Sequence, residues 1–485
     1  MSVMPENLAL RLESILGGSR VIGDPAQCAD YAVDEISPAA VAKPSSAAEV
    51  AELVRFAAGE KLALIPCGNR TKLSIGAPPA RYDLALDMTG LNQIANYDPH
   101  DLTLSVDAGI NFNDFAVPLY NQKQFLPLSV PFYFESTIGG IIASGVDCGL
   151  RQSYGTARDF LIGAEFVDGT GKLCKSGGRV VKNVSGYDLH KLLIGSLGTL
   201  AVITRLNFRT FPAAPASRGF VASFRASGDA LSLLRLIQGS KLTPASIELV
   251  SPELLRRIVE AEKDSQVPSD LSMEGKFPEN CWHLTVSVGG TNDVCERSVG
   301  DLTRLADQLS SKTAQTKILQ ENEGADLWHY LGQAVPILLE SSPDAAIFKI
   351  MQLPSRLGPL INELGRIAGQ AQLNHALLVR GCGVVYFALL PAASGEGVHP
   401  PAIAGSGSVS RVAEAACKVS EFCLKEGAAV SLPWCPTALK RSVNICGLSS
   451  GSASSARTDL ALMGRLKAAF DPHNLFAPGR MGALS

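Results

Sequence analysis

The sequence is poor in several features that mark common classes of protein. Aromatic residues make up only 6% of the 485 residues, and none of the 11 cysteines belongs to a C-x-x-C pair. Because Cys-based zinc and iron–sulfur sites use such pairs, no metal site is predicted. Lysine and arginine form no basic stripe and the formal net charge is −3, so nucleic acid is not an expected partner.

Long hydrophobic runs are also missing. No window reaches 18 uninterrupted apolar residues, so no membrane span is predicted. The N-terminus carries charges at Glu6, Arg11 and Glu13, and we expect an amphipathic helix there rather than a signal peptide. An odd, scattered set of cysteines in a chain of this length indicates buried thiols in a reducing compartment, which predicts a cytoplasmic protein.

The first part of the chain alternates between helical and strand-like patterns. Ser45 or Ser46 can cap a helix that runs through Ala58, with Gly59 as its stop. Asp168-Gly169-Thr170-Gly171 closes a predicted hairpin, and a long strand stops at Pro212. Short runs predict three strands of a small βαβ-like unit, at 63–65, 84–86 and 102–106. We therefore predict a lead-in at 1–35 and a domain at 36–212.

Beyond Pro212 a second set of strands and helices follows. The pattern predicts an α+β cap domain at 213–400, in which an antiparallel sheet carries helices on one face. Its strand-like runs lie at 219–224, 246–250, 282–288, 346–353 and 384–390. Residues 391–408 are rich in Gly, Ala, Pro and Ser and predict a flexible connection. Helices are predicted at 409–426 and 456–470, and 401–485 is expected to be a C-terminal helical segment that returns to the first domain.

Two glycine-bearing loops carry most of the functional information. The first, from Cys67 to Gly76, can wrap a pyrophosphate with successive main-chain N–H groups, and Arg70 or Lys72 can offset the phosphate charge. A tight turn between two elements would also need these glycines. Both readings stay open for this loop alone.

The second loop, Thr137-Ile138-Gly139-Gly140, precedes a predicted helix. Its amides and the helix N-terminus would favour an anion or a flavin carbonyl, and close helix packing is the alternative reason for the glycines. The spacing does not follow G-x-G-x-x-G, which argues against a Rossmann nicotinamide site. Two such loops suit a ligand with two phosphates and a long body, such as a flavin dinucleotide.

A third element carries a candidate cation. Lys182 could stabilise the anionic reduced ring near the flavin N1 and C2 carbonyl, or it could simply pair with Asp188 at a helix start. In the predicted cap, His375 and Arg380 could act as base and carboxylate clamp in an alcohol oxidation. A surface histidine and a strand-end arginine are the alternative reading. Tyr187 is a further candidate catalytic residue.

These motifs together carry a resemblance. Residues 44–212 resemble the FAD-binding domain of the PCMH-type (vanillyl-alcohol oxidase) flavoprotein superfamily. Within this family, the segments 182–189, 195–204 and 76–79 and the ending 471–480 are similar to the FAD-binding E subunits of bacterial glycolate oxidase, or glycolate dehydrogenase. The resemblance implies an α+β fold, with FAD between two subdomains of a PCMH-type domain and an antiparallel-sheet cap over the flavin ring.

The resemblance also implies roles for individual residues. The pyrophosphate would be held by Pro66, Cys67, Gly68, Asn69, Arg70, Thr71, Lys72 and Leu73. The ring and ribityl chain would be lined by Thr137, Ile138, Gly139, Gly140, Ser144 and Gly145, and the adenine end would meet Gly198 and Ile203. Some relatives tether the flavin to a histidine in the first loop. None of the seven histidines lies there, so non-covalent FAD is expected.

Two departures from the family pattern bear on activity. Relatives that oxidise D-lactate, glycolate or D-2-hydroxyglutarate carry Gly-Ser-Glu-Gly, where this chain has Leu197 in place of the acid. They also carry H-x-G-D-G-N-x-H in the cap, where this chain has Val379, Val384 and Tyr386 at the His, Asn and His positions. Since valine cannot ligate a metal, the cap metal site is expected to be lost.

The resemblance therefore implies an FAD-binding subunit of a glycolate or D-lactate dehydrogenase complex. A small 2-hydroxy acid would be oxidised to the 2-oxo acid, and electrons would pass to a catalytic flavoprotein subunit and an iron–sulfur subunit. Such partners could place the protein at the inner face of the membrane. Two alternatives stay open: a self-sufficient FAD-dependent oxidoreductase on another alcohol or hydroxy acid, and a non-catalytic FAD-binding assembly subunit.

Overall fold

The computed structural model describes residues 5–179, 186–265, 270–309, 312–391, 404–445 and 454–482. The first sheet along the chain has four strands. Its strands run in the order β1-β2-β4-β3, and the β2-β4-β3 pairs are parallel. The strands are β1 Val21–Ile22, β2 Ala40–Ala42, β3 Leu64–Cys67 and β4 Leu84–Asp87, with helices α1 Pro5–Leu16, α2 Pro25–Ala29 and α3 Ala47–Glu60.

Helix α3 begins as predicted and ends two residues later. Ser46 is its N-cap, and the Ser46 side chain accepts a hydrogen bond from the main-chain N–H of Glu49. The helix passes through Gly59, and Lys61 adopts the left-handed conformation that ends it (φ 55°). Short 3-10 helices lie at Gly18–Arg20 and Met88–Gly90.

The second sheet is antiparallel, with the order β5-β6-β10-β8-β9. This region contains β5 Ile94–Asp98, β6 Thr103–Asp107, β7 Gln124–Phe125, β8 Leu161–Val167, β9 Leu173–Gly177, β10 Val202–Arg209 and β11 Phe211–Pro212. Strands β7 and β11 form a separate pair. The helices are α4 Phe112–Asn121, α5 Ile138–Ser144, α6 Arg151–Tyr154 and α7 Ala157–Phe160, with a 3-10 helix at Leu189–Leu193.

The predicted βαβ-like unit is therefore corrected in one strand. Strand β6 does not join β3 and β4 but lies between β5 and β10 in the second sheet. Residues 102–106 alternate between apolar and polar, which suits an antiparallel sheet, whereas the apolar runs of β3 and β4 suit a parallel sheet buried on both faces. The predicted hairpin around Asp168 is confirmed by the pairing of β8 with β9.

The third sheet has eight strands, all paired antiparallel, in the order β15-β12-β14-β13-β17-β18-β16-β19. The strands are β12 Ala216–Phe224, β13 Ser246–Val250, β14 Trp282–Gly290, β15 Thr313–Leu319, β16 Ala346–Met351, β17 Asn374–Arg380, β18 Val384–Leu390 and β19 Ala429–Trp434. The helices are α8 Ser227–Gln238, α9 Pro252–Asp264, α10 Asn292–Asp307, α11 Glu321–Gly332, α12 Ala334–Ser341, α13 Leu357–Gln370, α14 Ala404–Lys425 and α15 Thr437–Lys440, with a 3-10 helix at Pro354–Arg356.

Helices cover both faces of this sheet, not one face as predicted. Helices α8, α10, α13 and α14 pack with Phe220, Leu249 and Phe387 in one core. Helices α9, α11 and α12 pack with Val250 and Leu378 on the other face, in a core shared with the second sheet. The strand pattern supplies apolar residues at successive positions, so each face needs a cover.

The end of the chain completes the first sheet. After α16, Ser454–Phe470, the main chain of Leu64 in β3 bonds to Leu475 and to Ala477, at 2.7 Å each. Strand β19 pairs with β16, so the chain crosses back to the first domain only after α15, later than the predicted boundary at 401. No helix in the described ranges is long and apolar enough to cross a membrane.

Candidate functional site

A cavity lies where the first sheet meets the second, and most of the predicted cofactor residues line it. Strand β3 leads into one wall, and helix α5 forms another. Of the predicted set, the cavity is lined by Pro66, Cys67, Gly68, Asn69, Arg70, Thr71, Lys72, Leu73, Thr137, Gly139, Gly140, Ser144, Gly198 and Ile203. Sequence reasoning missed several apolar lining residues, among them Ile65, Met88, Ala108 and Ala143, which look like ordinary core positions in the sequence.

The first loop presents unpaired main-chain donors to this cavity. The N–H groups of Asn69, Arg70, Thr71 and Lys72 donate to no other group within the described ranges. Asn69 and Arg70 are exposed and Thr71 is half-buried, so a ligand can reach these amides. Successive free amides at a glycine turn can form a cradle for an anion, and the loop therefore has donors that a phosphate or diphosphate could use.

Gly68 is required because the two loops meet at this residue. A Cβ added to Gly68 would lie 2.0 Å from the Oγ1 of Thr137. The neighbouring Asn69 amide group donates to the main-chain oxygen of Glu135 at 2.7 Å, and Thr71 Oγ1 lies 3.1 Å from Ser136 Oγ. Polar contacts thus join the first loop to the segment that precedes the second.

Three of the four amides of the second loop are already used, and that of Gly140 donates to Thr137 Oγ1 at 3.4 Å. The N–H of Ile138 donates to Ile110 and that of Gly139 donates to Ala108, at 3.1 and 2.8 Å. A Cβ on Gly139 would lie 2.7 Å from the Ala108 oxygen, so this glycine permits close packing. The predicted donation from these amides to an anion is corrected, and the packing alternative explains Gly139. Ile138 itself is buried in the core, and Gly145 packs on Gly195 rather than lining the cavity.

Lys72 is the buried cation of the site. The Lys72 ammonium donates to the Ser136 hydroxyl and lies 3.3 Å from Thr71 Oγ1, and the residue is only 9% exposed. Burial lowers the pKa of Lys72 to about 7, against the opposing effect of Glu135. A ligand phosphate would supply the negative charge that this ammonium lacks.

Leu197 is the residue that departs from the expected family pattern. The residue lines the cavity and has a left-handed backbone (φ 52°). A bulky residue at positive φ is uncommon and is held only where neighbouring structure imposes it. Here the N–H of Leu197 donates to Ala143 at 2.8 Å, which ties the loop to helix α5. The cavity wall is apolar at this position.

Arg380 lies in a buried ionic cluster between the first domain and the eight-stranded sheet. The guanidinium donates to Asp147, which follows α5, and lies 3.5 Å from the carboxylate of Glu248. Lys349 and Arg151 also contact Asp147, at 3.3 and 2.6 Å. Burial raises the pKa of Asp147, but Arg380 and Lys349 outweigh it and hold this pKa well below its usual value.

The cluster changes the interpretation of Arg380. Its guanidinium pairs with Asp147 and lies beside Glu248, so in this arrangement it is already engaged by carboxylates of the chain itself. Tyr386, where relatives have a metal-binding histidine, donates to Asp147 at 3.3 Å. No group of three or more His, Cys, Asp or Glu side chains able to hold a metal occurs in the part of the chain that the structure describes.

The other two candidate catalytic residues do not reach the cavity. His375 and Arg380 are five positions apart on β17, so their side chains point to opposite faces. His375 packs near Gly365 of α13 and Phe387, which corrects its pairing with Arg380. Tyr187 is 90% exposed and is not among the residues that line this cavity. Lys182 lies outside the described residues.

Comparisons with known proteins agree with this geometry. The profile of the family "FAD binding domain" matches residues 38–177, and that of "FAD linked oxidases, C-terminal domain" matches 214–422 and 453–481. The chain is 25% identical to glycolate oxidase subunit GlcD of Bacillus subtilis over 464 residues, 92% of this chain and 89% of GlcD. It is 35% identical over 167 residues to glycolate oxidase subunit GlcE of Escherichia coli, a match that covers 34% of this chain and 47% of GlcE.

The fold comparison agrees with the sequence profiles. The crystal structure of p-cresol methylhydroxylase with substrate bound superposes with a TM-score of 0.76 at 16% identity, over 99% of this chain and 97% of that chain. This likeness confirms the predicted two-part α+β fold. The two profiles together match most of the chain and show that this chain, with its PCMH-type fold, belongs to the FAD-linked oxidases and is an FAD-dependent oxidoreductase.

Proposed function

We propose that this flavoprotein is the FAD-binding subunit of a 2-hydroxy acid dehydrogenase complex that oxidises glycolate or D-lactate to the 2-oxo acid. The glycolate oxidase subunits to which the chain is similar support this substrate class. When bound, FAD supplies the two-electron acceptor for such an oxidation. The partners in this proposal are a catalytic flavoprotein and an iron–sulfur subunit, which together could hold the complex at the inner membrane face.

The free amides of the first loop support non-covalent FAD in the cavity. Asn69, Arg70, Thr71 and Lys72 would hold the diphosphate, since their N–H groups have no other acceptor within the described ranges. The walls formed by Gly139, Gly140 and Ser144 would face the ring and ribityl chain, and Gly198 and Ile203 would meet the adenine end. No histidine is among the residues that line this cavity.

The ionic cluster around Arg380 is the observation that favours a complex over a self-sufficient enzyme. Oxidation of a hydroxy acid needs a cation for the carboxylate and a base for the hydroxyl proton. In this chain Arg380 is paired with Asp147, and His375 lies on the opposite face of the sheet. The partner flavoprotein would therefore bind and oxidise the hydroxy acid, and this subunit would take up its electrons.

One contact favours the self-sufficient alternative. The Tyr133 hydroxyl lies 3.3 Å from Nδ1 of His329, between the segment before the second loop and helix α11. Burial lowers the pKa of His329, so its neutral form is favoured near pH 7 and could accept a proton. The ring of Phe132, next to Tyr133, packs against Lys72 of the cavity, with 5.7 Å between the ring centroid and the ammonium nitrogen.

Reduction of the bound flavin by substrate distinguishes between these proposed functions. We expect the purified, FAD-loaded chain to keep its flavin absorption when glycolate or D-lactate is added, and to lose it when the catalytic flavoprotein partner is also present. Bleaching by the chain alone, abolished by His329→Gln, would establish the self-sufficient enzyme. A flavin that is never reduced in either setting would indicate an assembly subunit. Protein that takes up no FAD at all would contradict the cofactor site itself.

A further inference from the structure

The C-terminal segment binds the second half of the first loop. The Arg480 guanidinium donates to the main-chain oxygens of Leu73, Ile75 and Ala77. The N–H of Ala77 donates in return to the Arg480 oxygen at 3.0 Å. One arginine thus fixes the direction of three carbonyl groups in a loop whose preceding residues line the cavity.

A second cation reaches the same loop from the cap. Lys440, on the short helix α15 that follows the edge strand β19, donates to the main-chain oxygen of Ser74. Its side chain has 0% relative exposure. Because α15 follows a strand of the eight-stranded sheet, Lys440 links the shape of the loop to the docking of the cap.

One buried carboxylate pairs with both cations. Asp34 lies 2.6 Å from the Lys440 ammonium and 3.4 Å from the Arg480 guanidinium. It sits in a two-residue turn closed by paired main-chain bonds between Val33 and Ile36, with φ 50° at Asp34 and 71° at Glu35. Turns of this kind favour Asp and Asn at the first position.

We propose that Asp34, Lys440 and Arg480 form a positioning triad that keeps the amides of the first loop turned toward the cavity and makes retention of FAD depend on the docked cap. This inference rests on the proposed position of FAD in the cavity. Arg480 also lines the cavity, whereas Asp34 and Lys440 do not. The triad acts on the loop through the carbonyl groups of Leu73, Ser74 and Ile75.

The charge balance of the triad gives a specific test. Asp34→Asn keeps the shape of the side chain but leaves two buried cations without a counter-charge. Lys440→Met frees the Ser74 carbonyl and leaves Asp34 with Arg480. We expect each single variant to raise the dissociation constant for FAD about tenfold or more, because each leaves a buried polar group unpaired. The double variant restores the original net charge and should bind FAD more tightly than Asp34→Asn alone.

FAD is titrated into the full-length apo-protein, and binding is monitored by flavin fluorescence. Thermal unfolding of the apo form is measured in parallel. The controls are Glu323→Gln and Lys276→Met, which break an ion pair of similar length in the cap. The triad is rejected if both single variants bind FAD like the wild type, or if the double variant binds more weakly than either single variant. If Asp34→Asn does not fold, the FAD affinity of Lys440→Met relative to the wild type decides the test. A wild type that binds no FAD would reject the proposed function instead.

Discussion

At the scale of single residues, the cofactor loop depends on contacts that a side chain would prevent. Gly68 faces the hydroxyl of Thr137, the N-cap of α5, so the two loops approach within the space of one methyl group. A glycine in the first loop could be recognised from the sequence. Its partner across the cavity could not, because Thr137 is 69 positions away and only the fold brings them together.

Gly68→Ala should therefore weaken FAD binding. The new methyl group must displace Thr137 or open the loop, and we expect the dissociation constant to rise by about tenfold or more, since overpacking of this kind costs about 1–3 kcal/mol. Gly59→Ala is the matched control, because nothing lies within 4 Å of a Cβ at Gly59 and α3 continues through it. FAD titration of the two variants gives the comparison. Equal affinities would show that Gly68 does not shape the site.

Lys72 should make FAD binding depend on pH. With a pKa of about 7 in the empty cavity, Lys72 is charged below pH 7 and neutral above it. A bound diphosphate favours the charged form, so above pH 7 binding must take up a proton. The affinity for FAD should fall as the pH rises from 7 to 9, by up to about tenfold per unit. Arg70 and Arg480 also line the cavity.

Lys72→Met should remove this pH dependence and bind FAD more weakly at pH 6. Lys175→Met, which removes an exposed ammonium on β9, should keep it. Calorimetric titration in two buffers of different ionisation enthalpy measures the proton uptake directly. An affinity that does not change with pH in the wild type, or an unchanged slope in Lys72→Met, contradicts the assignment.

At the scale of elements, periodicity decided which predictions could succeed. The hairpin of β8 and β9 and the strands β13 and β18 follow from local patterns, and the structure confirms them. The opposite faces of His375 and Arg380 could also have been read from their odd spacing in one strand. The sequence could not show which loop offers free amides, because the acceptors of the second loop, Ala108 and Ile110, come from a distant strand end.

Removal of one partner from the ionic cluster on the sheet should be strongly destabilising. Asp147→Asn leaves Arg380 and Lys349 buried with one carboxylate fewer, and removing one partner of a buried pair costs about 3–5 kcal/mol of unfolding free energy. Glu165→Gln, which breaks an ion pair with exposed Lys175, should cost less than about 1 kcal/mol. Denaturant unfolding at pH 7 measures both.

The same cluster sets the response to acid. The pKa of Asp147 is held below its value in the unfolded chain, so its contribution is complete above about pH 4 and is lost as the pH falls further. Wild-type stability should therefore decline more steeply with acid than that of Asp147→Asn. Parallel curves for the two proteins between pH 5 and pH 3 would show that Asp147 carries no such linkage.

At the scale of the whole molecule, the chain closes on itself in a way the sequence only partly predicts. The return of the C-terminus to the first domain was expected from the family ending, and the bridge from Leu64 to Phe476 shows where it arrives. The place of β19 at the edge of the cap sheet was not expected, because its run of residues 429–434 lies among helices and includes Pro433. Long-range pairing of this kind has no local signal.

Phe476→Ala tests how far the last residues support the cofactor site. Phe476 is fully buried beside β3, the strand that leads into the first loop, so its loss should cost about 3–5 kcal/mol and weaken FAD binding with it. Leu462→Ala, on the exposed side of α16, should change neither. Hydrogen exchange at residues 64–67, measured with FAD titration, shows whether the effect reaches the loop. Exchange that stays at the wild-type rate in Phe476→Ala would mean that the C-terminal segment stabilises the domain without acting on the site.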